Sequence, residues 1–335
     1  MPGSKILGSA HYVPSDIVTN DDLAKIMDTS DAWIQSHTGI KTRHMSLKGE
    51  NTSDLATKAA QLALDKADLA AEDIDLIIVT TFTPDGLAPS TAALVQRNLN
   101  ANKAWAYDIM TACSGFIFGL STADKFLRSG VYQHALVISA EVNSKMMDFT
   151  DRTSTVFFGD GAGAVVLTAD MQGNGFLAGE DMHTIGNADV VHSGRIPPLQ
   201  ELSAENYPKT DAFVQMGRDV FNEVTTLIPQ HIRDFLSSKS LKPSDIDYFI
   251  PHQANLRLIE YIAKDLDEPL SKFSTNIIRN GNTSSAGIAI GFDELNQSVN
   301  LTGKRVLLTG FGAGFTYGSI FDAILKKVLR ALINQ

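Results

Sequence analysis

Cysteine is almost missing from this chain: of 335 residues, Cys113 alone carries a thiol. One cysteine excludes an internal disulfide framework. With no CxxC and no closely spaced His/Cys cluster, no metal is expected either. Long apolar runs are also missing. Nowhere do 18 consecutive apolar residues occur, and the opening MPGSKILGSAHYVP lacks the basic start and apolar stretch of a secretory signal. A soluble, cytoplasmic protein is the expectation. Basic residues are in deficit, 28 Lys and Arg against 38 Asp and Glu for a formal charge of −10. That balance argues against general nucleic-acid binding, so any anionic partner must meet a local basic patch.

Core material, by contrast, is plentiful. With 44% hydrophobic residues over 335 positions the chain exceeds what one simple layer can bury. It also shows traces of duplication. EDIDLIIVT at 72 to 80 resembles SDIDYFIPH at 244 to 252, and HALVIS at 134 to 139 resembles RVLLTG at 305 to 310, at nearly one offset. Two similar α/β halves are expected, residues 1–170 and 171–335, with helices and strands alternating in each.

The solitary cysteine stands at a junction. AWAYDIM reads as a strand, and after Cys113 the residues Phe116, Leu120, Ala123 and Leu127 recur at helical spacing, with Gly130 as a terminator. A lone cysteine is ordinarily a small buried hydrophobe. At a helix N-terminus, however, unpaired amides and the helix dipole favour a thiolate. The second half offers partners in equivalent places. His252 comes after a strand and before a helix striped by Leu256, Ile259, Ala263 and Leu266. Asn282 lies in an Asn/Gly turn before a helix bearing Ile288, Phe292 and Leu295, and it corresponds to Cys113 at nearly the repeat offset. Taken singly, the histidine is as readily a structural hydrogen-bonder, and the asparagine a turn former. In open α/β sheets such junctions collect at the carboxyl ends of strands, where sites form. Two glycine-rich stretches, FGDGAGAVVL and GFGAGFTYG, contain G-x-G-x-G. The residues after each motif have the pattern of a strand rather than a helix, so close backbone packing explains the glycines better than a dinucleotide site.

Six segments together carry a resemblance: DTSDAWIQSHTGI (28 to 40), TACSGF (111 to 116), FGDGAGAVVL (158 to 167), PHQANLR (251 to 257), GNTSSA (281 to 286) and GFGAGFTYGS (310 to 319). In this order, along nearly the whole chain, they resemble β-ketoacyl-acyl-carrier-protein synthase III, the initiating condensing enzyme of bacterial fatty-acid synthesis. The resemblance implies a thiolase-like α/β fold of five layers, α-β-α-β-α, built from two duplicated halves and forming a homodimer. It implies Cys113 as nucleophile, with His252 and Asn282 completing the catalytic triad, and backbone amides of Cys113 and Ala313 as oxyanion hole. Many relatives have glycine at the position of Ala313. For the primer's CoA it implies an adenine sandwich of Trp33 and Arg152, and a pantetheine tunnel lined by Gly217, Arg218, Phe221 and Asn255. His37 stands where many relatives carry an arginine near the CoA phosphates. Arg257 and Lys264 match docking positions for the acidic acyl carrier protein, whereas Asn222 and Asp265 occupy places often held by lysine. Ala88 replaces a phenylalanine common in acetyl-restricted relatives, which implies a deeper acyl pocket unless Leu87 or Phe82 fills it. No cofactor is implied, since acyl-CoA and malonyl-carrier protein are substrates. A polyketide or quinolone-type condensing enzyme with the same triad is the alternative, and a non-catalytic relative would be expected to have lost the triad.

Overall fold

Leu76–Thr80 carries the run LIIVT, buried at every position, the pattern of a strand in a sheet covered on both faces. It lies inside the first of two large sheets. The structure is a computed structural model describing residues 3–170, 177–187, 189–194, 214–313 and 315–323. Its first sheet contains β1 (Gly3–Tyr12), β2 (Leu76–Thr80), β3 (Trp105–Ile109), β4 (His134–Glu141) and β5 (Gly161–Asp170), in the order β1-β5-β4-β2-β3. β2 runs parallel to β3 and β4, while β5 is antiparallel to β4 and β1. The second sheet contains β6 (Leu177–Thr184), β7 (Tyr248–Pro251), β8 (Arg305–Gly312) and β9 (Thr316–Ala323), in the order β7-β8-β9-β6. β7 is parallel to β8, and the other two pairs are antiparallel.

Directions and connections therefore repeat: β2, β4, β5 and β1 of one sheet stand as β7, β8, β9 and β6 of the other. Among the described residues β3 alone lacks a full counterpart. In its place beside β7 is a single parallel bridge between Phe249 and Phe273. The matched segments repeat in detail as well. The Asp75 amide donates to the His134 carbonyl and its carboxylate accepts from the His134 amide at 3.0 Å. Asp247 makes the same pair of bonds with Arg305, the second at 2.9 Å. The junction expected near residue 170 abuts residues 171–176, outside the described residues.

Seven helices cover these sheets and frame the site: α1 (Asp31–Thr38), α2 (Thr52–Ala67), α3 (Thr91–Leu99), α4 (Gly115–Arg128), α5 (Gly217–Ser238), α6 (Leu256–Asp265) and α7 (Ala286–Ser298). α2 and α3 pack Leu55, Ala59, Ala63 and Val95 on Ile77, Val79 and Ile138. α4 and α7 lie between the sheets, with Phe116, Leu120, Ile288 and Phe292 meeting Ile78 and Val137 on one side and Ile250, Leu308 and Ile320 on the other. α5 and α6 place Ile228, Ile232, Ile259 and Ile262 against Phe249 and Leu307. The result is the α-β-α-β-α layering of a thiolase-like α/β fold.

The two central helices bury apolar residues on two sides because sheets cover both. Phe116, Leu120, Ala123 and Leu127 of α4 are all 0% exposed, each large side chain contributing about 1.5–3 kcal/mol relative to exposure. α4 ends at Arg128, and Gly130 lies just beyond at φ 75°. The stretch FGDGAGAVVL opens strand β5, not a helix, and a Cβ on Gly163 would come within 2.5 Å of Ala289 Cβ. Close packing of β5 on α7 is thus what demands that glycine. Among the described residues no helix is long and apolar enough to cross a membrane.

Candidate active site

β3 delivers the chain to Cys113. Between them Ala112 adopts a left-handed φ of 44°, and Ala112–Ser114 form a 3-10 turn that feeds α4. The turn is tight because β8 presses on it: a Cβ on Gly312 would lie 2.7 Å from the Cys113 amide nitrogen. Only glycine permits that approach. The hydroxyls of Ser114 and Thr316 meet at 2.8 Å, joining the nucleophile turn to the start of β9.

Part of Cys113 remains open to the surface, yet its surroundings are dense enough that burial pushes the thiol up to about 12. The hydroxyl of Ser284 donates to Sγ at 3.2 Å and opposes this, while the carboxylate of Glu141 adds to it. The expected thiolate is therefore not the resting form. A helix terminus contributes only about 0.3–1 kcal/mol, less than the cost of burying a charge here. Cys113 rests as a thiol.

Asn282 is fastened from behind. Its amide donates to the Phe157 carbonyl at 2.8 Å, and its own carbonyl accepts from Gly159 at 3.2 Å and from Asn143 Nδ2 at 3.3 Å. Its side-chain Oδ1 accepts from the Ser284 amide at 2.8 Å. With Oδ1 engaged, Nδ2 is the group left to donate. Asn282 and the Cys113 thiol are thus joined through Ser284, which bonds both.

His252 lies just past β7, and its amide donates to the Thr309 carbonyl at 2.8 Å. The ring is 3% exposed and meets Phe311 edge-on at 4.9 Å. Burial lowers its pKa to about 3, so the imidazole is neutral. Among the described residues Nδ1 has no hydrogen-bond partner. A buried lone pair is tolerated better than an orphaned N–H, which assigns the ring proton to Nε2.

Sequence reasoning missed Glu141, at the carboxyl end of β4. Its carboxylate accepts from Thr81 Oγ1 at 2.9 Å, Thr83 Oγ1 at 2.6 Å, the Thr83 amide at 3.1 Å and Ser285 Oγ at 2.7 Å. Burial still pushes its pKa up to about 7, against those bonds. An acidic residue closing the apolar run HALVISAE was the available signal.

A family model described as 3-oxoacyl-acyl-carrier-protein synthase III matches residues 107–186, and its C-terminal counterpart matches residues 236–322. A β-ketoacyl-acyl-carrier-protein synthase III of Lactiplantibacillus plantarum is 57% identical over 97% of this chain and 99% of its own length. The chain belongs to this family. A crystal structure of the Aquifex aeolicus 3-oxoacyl-carrier-protein synthase III superposes with a TM-score of 0.87 at 39% identity, covering 95% of this chain and 99% of that one. A priming β-ketosynthase of polyketide biosynthesis also reaches 0.87, at 30% identity and 96% of each chain. As a synthase III the chain is an acyltransferase that performs the initiating condensation of fatty-acid synthesis.

The residues expected to receive CoA and the carrier protein are mostly exposed and bonded to their neighbours. The Arg152 guanidinium stands 5.2 Å from the Trp33 ring centroid and donates to the Asp28 carbonyl at 2.6 Å. An aromatic base between two flat groups needs them about 7 Å apart, so the expected sandwich is closed here. His37 stacks on Trp33 at 4.3 Å and its Nδ1 lies 2.8 Å from the Trp33 carbonyl, which turns it back onto α1 rather than outward. Gly217 and Arg218 are exposed at the start of α5, and half-buried Phe221 meets Tyr261 at 6.2 Å. Asn255 caps α6, its side chain accepting from the Leu258 amide at 2.9 Å. Arg257 pairs with Glu260 at 2.8 Å and Asp265 pairs with Arg233, whereas Lys264 is exposed on the same helix and Asn222 is exposed on α5. Ala88 is exposed, Leu87 is 86% exposed and Phe82 is half-buried. Within one chain neither Ala88 nor Leu87 lines a closed pocket.

Proposed function

We propose that the condensation runs through an acyl-enzyme on Cys113, with His252 and Asn282 holding the second substrate's enolate. Cys113 Sγ attacks the acyl-CoA thioester. The thiol proton leaves with CoA, which departs as its thiol, and the acyl group stays on the enzyme. Malonyl-carrier protein then binds and loses CO2, leaving an enolate whose oxygen accepts from His252 Nε2–H and Asn282 Nδ2–H. The enolate carbon attacks the acyl-Cys113 carbonyl. The tetrahedral oxyanion lies against the amides of Cys113 and Ala313, and its collapse yields the β-ketoacyl-carrier protein and a Cys113 thiolate that recovers its proton from solvent. No cofactor takes part. The observation that carries this reading is the neutral His252 with an unpartnered Nδ1, since it leaves a donor, not an acceptor, for the enolate.

Around that core, the two halves divide near residue 170, the first supplying Cys113 and the second His252 and Asn282. The repeated strand order supports this. Trp33, Arg152, Gly217, Arg218, Phe221 and Asn255 receive CoA once Arg152 swings off Trp33. Lys264 is the stronger docking contact for the carrier protein, because Arg257 is already paired. The protein acts as a homodimer in the cytoplasm; the edge position of β3 among the described residues and exposed Leu87 and Met110 support the dimer. Ala88 then faces the partner's acyl pocket and leaves room for branched or medium-length primers, each added methylene contributing about 0.8 kcal/mol.

Intact mass after incubation with acyl-CoA tests the reading. One acyl adduct per chain, absent in Cys113→Ser, is expected to be discharged by malonyl-carrier protein. Discharge by malonyl-CoA alone would instead favour the polyketide-type alternative, and an adduct that persists in Cys113→Ser would refute the nucleophile. For the primer, kcat/KM with acetyl-, isobutyryl- and hexanoyl-CoA should shift toward acetyl in Ala88→Phe. An unchanged ranking would remove Ala88 from the pocket.

A further inference from the structure

On the outer face of the second sheet, away from the condensation chemistry, three metal-ligating side chains converge. Asp181 and His183 are two apart on β6 and so share one face. Their cross-strand neighbours on β9 are Ser319 and Tyr317. α5 covers this face and brings His231 down onto it, 7% exposed. His183 Nε2 lies 3.0 Å from Asp181 Oδ1, and His231 Nδ1 lies 3.7 Å from Asp181 Oδ2. All three donor atoms fall within 4.8 Å of one another. Spacing along the chain does not show this cluster, because His231 is remote from the Asp-x-His pair.

The surroundings fix what the donors can do. His231 Nε2 is 3.1 Å from Ser319 Oγ, which is itself 2.9 Å from Thr309 Oγ1. In the tautomer whose Nε2–H donates to Ser319, Nδ1 presents a lone pair toward a carboxylate oxygen at a separation too long for a hydrogen bond. Two electron-rich atoms face each other, and a cation between them relieves the repulsion. The Ser319 bond is also the kind of outer contact that orients a ligating imidazole. Imidazole ligates a metal in its neutral form. Tyr317 stacks on His183 at 5.0 Å and meets His231 edge-on at 5.2 Å, walling one side. The Asp181 and His183 side chains are 41% and 44% exposed, so the other side is open to water and to an arriving ion.

We propose that Asp181, His183 and His231 form a binding site for one divalent transition-metal ion of the zinc class, completed by water. Two imidazoles and a carboxylate suit zinc, iron or cobalt and not magnesium or calcium. Tetrahedral ligands at zinc-type bond lengths stand about 3.4 Å apart. His183 Nε2 and His231 Nδ1 lie 3.0 and 3.7 Å from different oxygens of Asp181, and drawing the three donors, within 4.8 Å of one another, to that spacing needs a shift of at most about 1.4 Å. The ion would tie α5, whose first turn carries Gly217, Arg218 and Phe221, to β6. It has no part in the carbon–carbon bond formation.

The test uses the untagged full chain stripped with a chelator, both native and as Cys113→Ser so that the catalytic thiol cannot supply a ligand. Co2+ titration is monitored by visible absorption, with Zn2+ as competitor and Mg2+ as control. One saturable Co2+ per chain is expected in both, displaced by Zn2+ and not by Mg2+, with a rise in Tm on loading. His183→Ala and Asp181→Asn, both at half-exposed positions, should each weaken binding at least tenfold. In the otherwise native chain they should leave acyl-enzyme formation intact as a check on folding. Absence of a one-equivalent site, or a site of unchanged affinity in His183→Ala and Asp181→Asn, would overturn the proposal.

Discussion

On the floor of the proposed catalytic site polar groups are enclosed and bonded to one another, while at its proposed mouth, Trp33, Arg152 and Arg257, polar groups are exposed and bonded to neighbours that a substrate there would have to replace. Glu141 holds four hydroxyl and amide donors from Thr81, Thr83 and Ser285 in a setting with no surface exposure. Arg152, in contrast, donates to exposed Asp28 while its guanidinium covers Trp33. The floor is preorganised and the mouth must rearrange. Burial also sets the floor's protonation: it raises Cys113 and lowers His252, so both rest uncharged.

The comparison breaks first if the floor residues do not divide their labour. His252→Ala and Asn282→Ala are expected to slow malonyl decarboxylation by about 100- to 1000-fold and acylation of Cys113 by much less. CO2 release and adduct mass, timed separately, read the two steps. Equal losses in both would mean that neither side chain holds the enolate.

Glu141→Gln should have the next largest effect. Its amide nitrogen would face hydroxyl and amide donors, costing about 1–3 kcal/mol of stability, while loss of the charge should make the Cys113 thiol more acidic. The sign of the pH effect is set by the native carboxyl's raised pKa. The folded state holds the Glu141 proton more tightly than the unfolded state, so this group lowers stability as pH rises from 4.5 to about 7. Chemical denaturation across that range should show this component in the native chain and not in Glu141→Gln. The opposite slope comes from His252, whose contribution is present above pH 6.5 and lost as pH falls toward 3.

The mouth should give the smallest effects. Lys264→Glu is expected to raise KM for malonyl-carrier protein several-fold with kcat unchanged, and Arg257→Ala to do less, because Arg257 is paired with Glu260 and bonded to the Gln35 carbonyl at 3.3 Å. Weakening at low salt that disappears at high salt would mark the contact as electrostatic. The reverse ranking would mean that the Arg257 pair opens for the partner.

This same division decides how much could be read from sequence. The stripes of α4 and α7, the strand before Cys113 and the repeat that relates β2 to β7 are local patterns, and they anticipated both sheets and the places of Cys113, His252 and Asn282 at the ends of strands or the starts of helices. Glu141 was not legible because its role depends on Thr81, Thr83 and Ser285 arriving from other segments. The upward push on the thiol's pKa was not legible for a related reason. A helix terminus is visible in sequence, but the density around Sγ is created by Ser284 and by Gly312 pressing on the turn. For the proposed mouth, motif matching singled out Trp33, Arg152 and Arg257 without revealing that each already has a partner.

The measurement that tests this account most directly is the pH dependence of Cys113 alkylation by iodoacetamide in the native chain, which has no other thiol. A neutral resting thiol predicts a rate that climbs about tenfold per pH unit from pH 7 to 9 without levelling. A plateau already reached by pH 7 would reveal a resting thiolate, and would contradict the claim that burial, not the helix terminus, sets the state of the nucleophile.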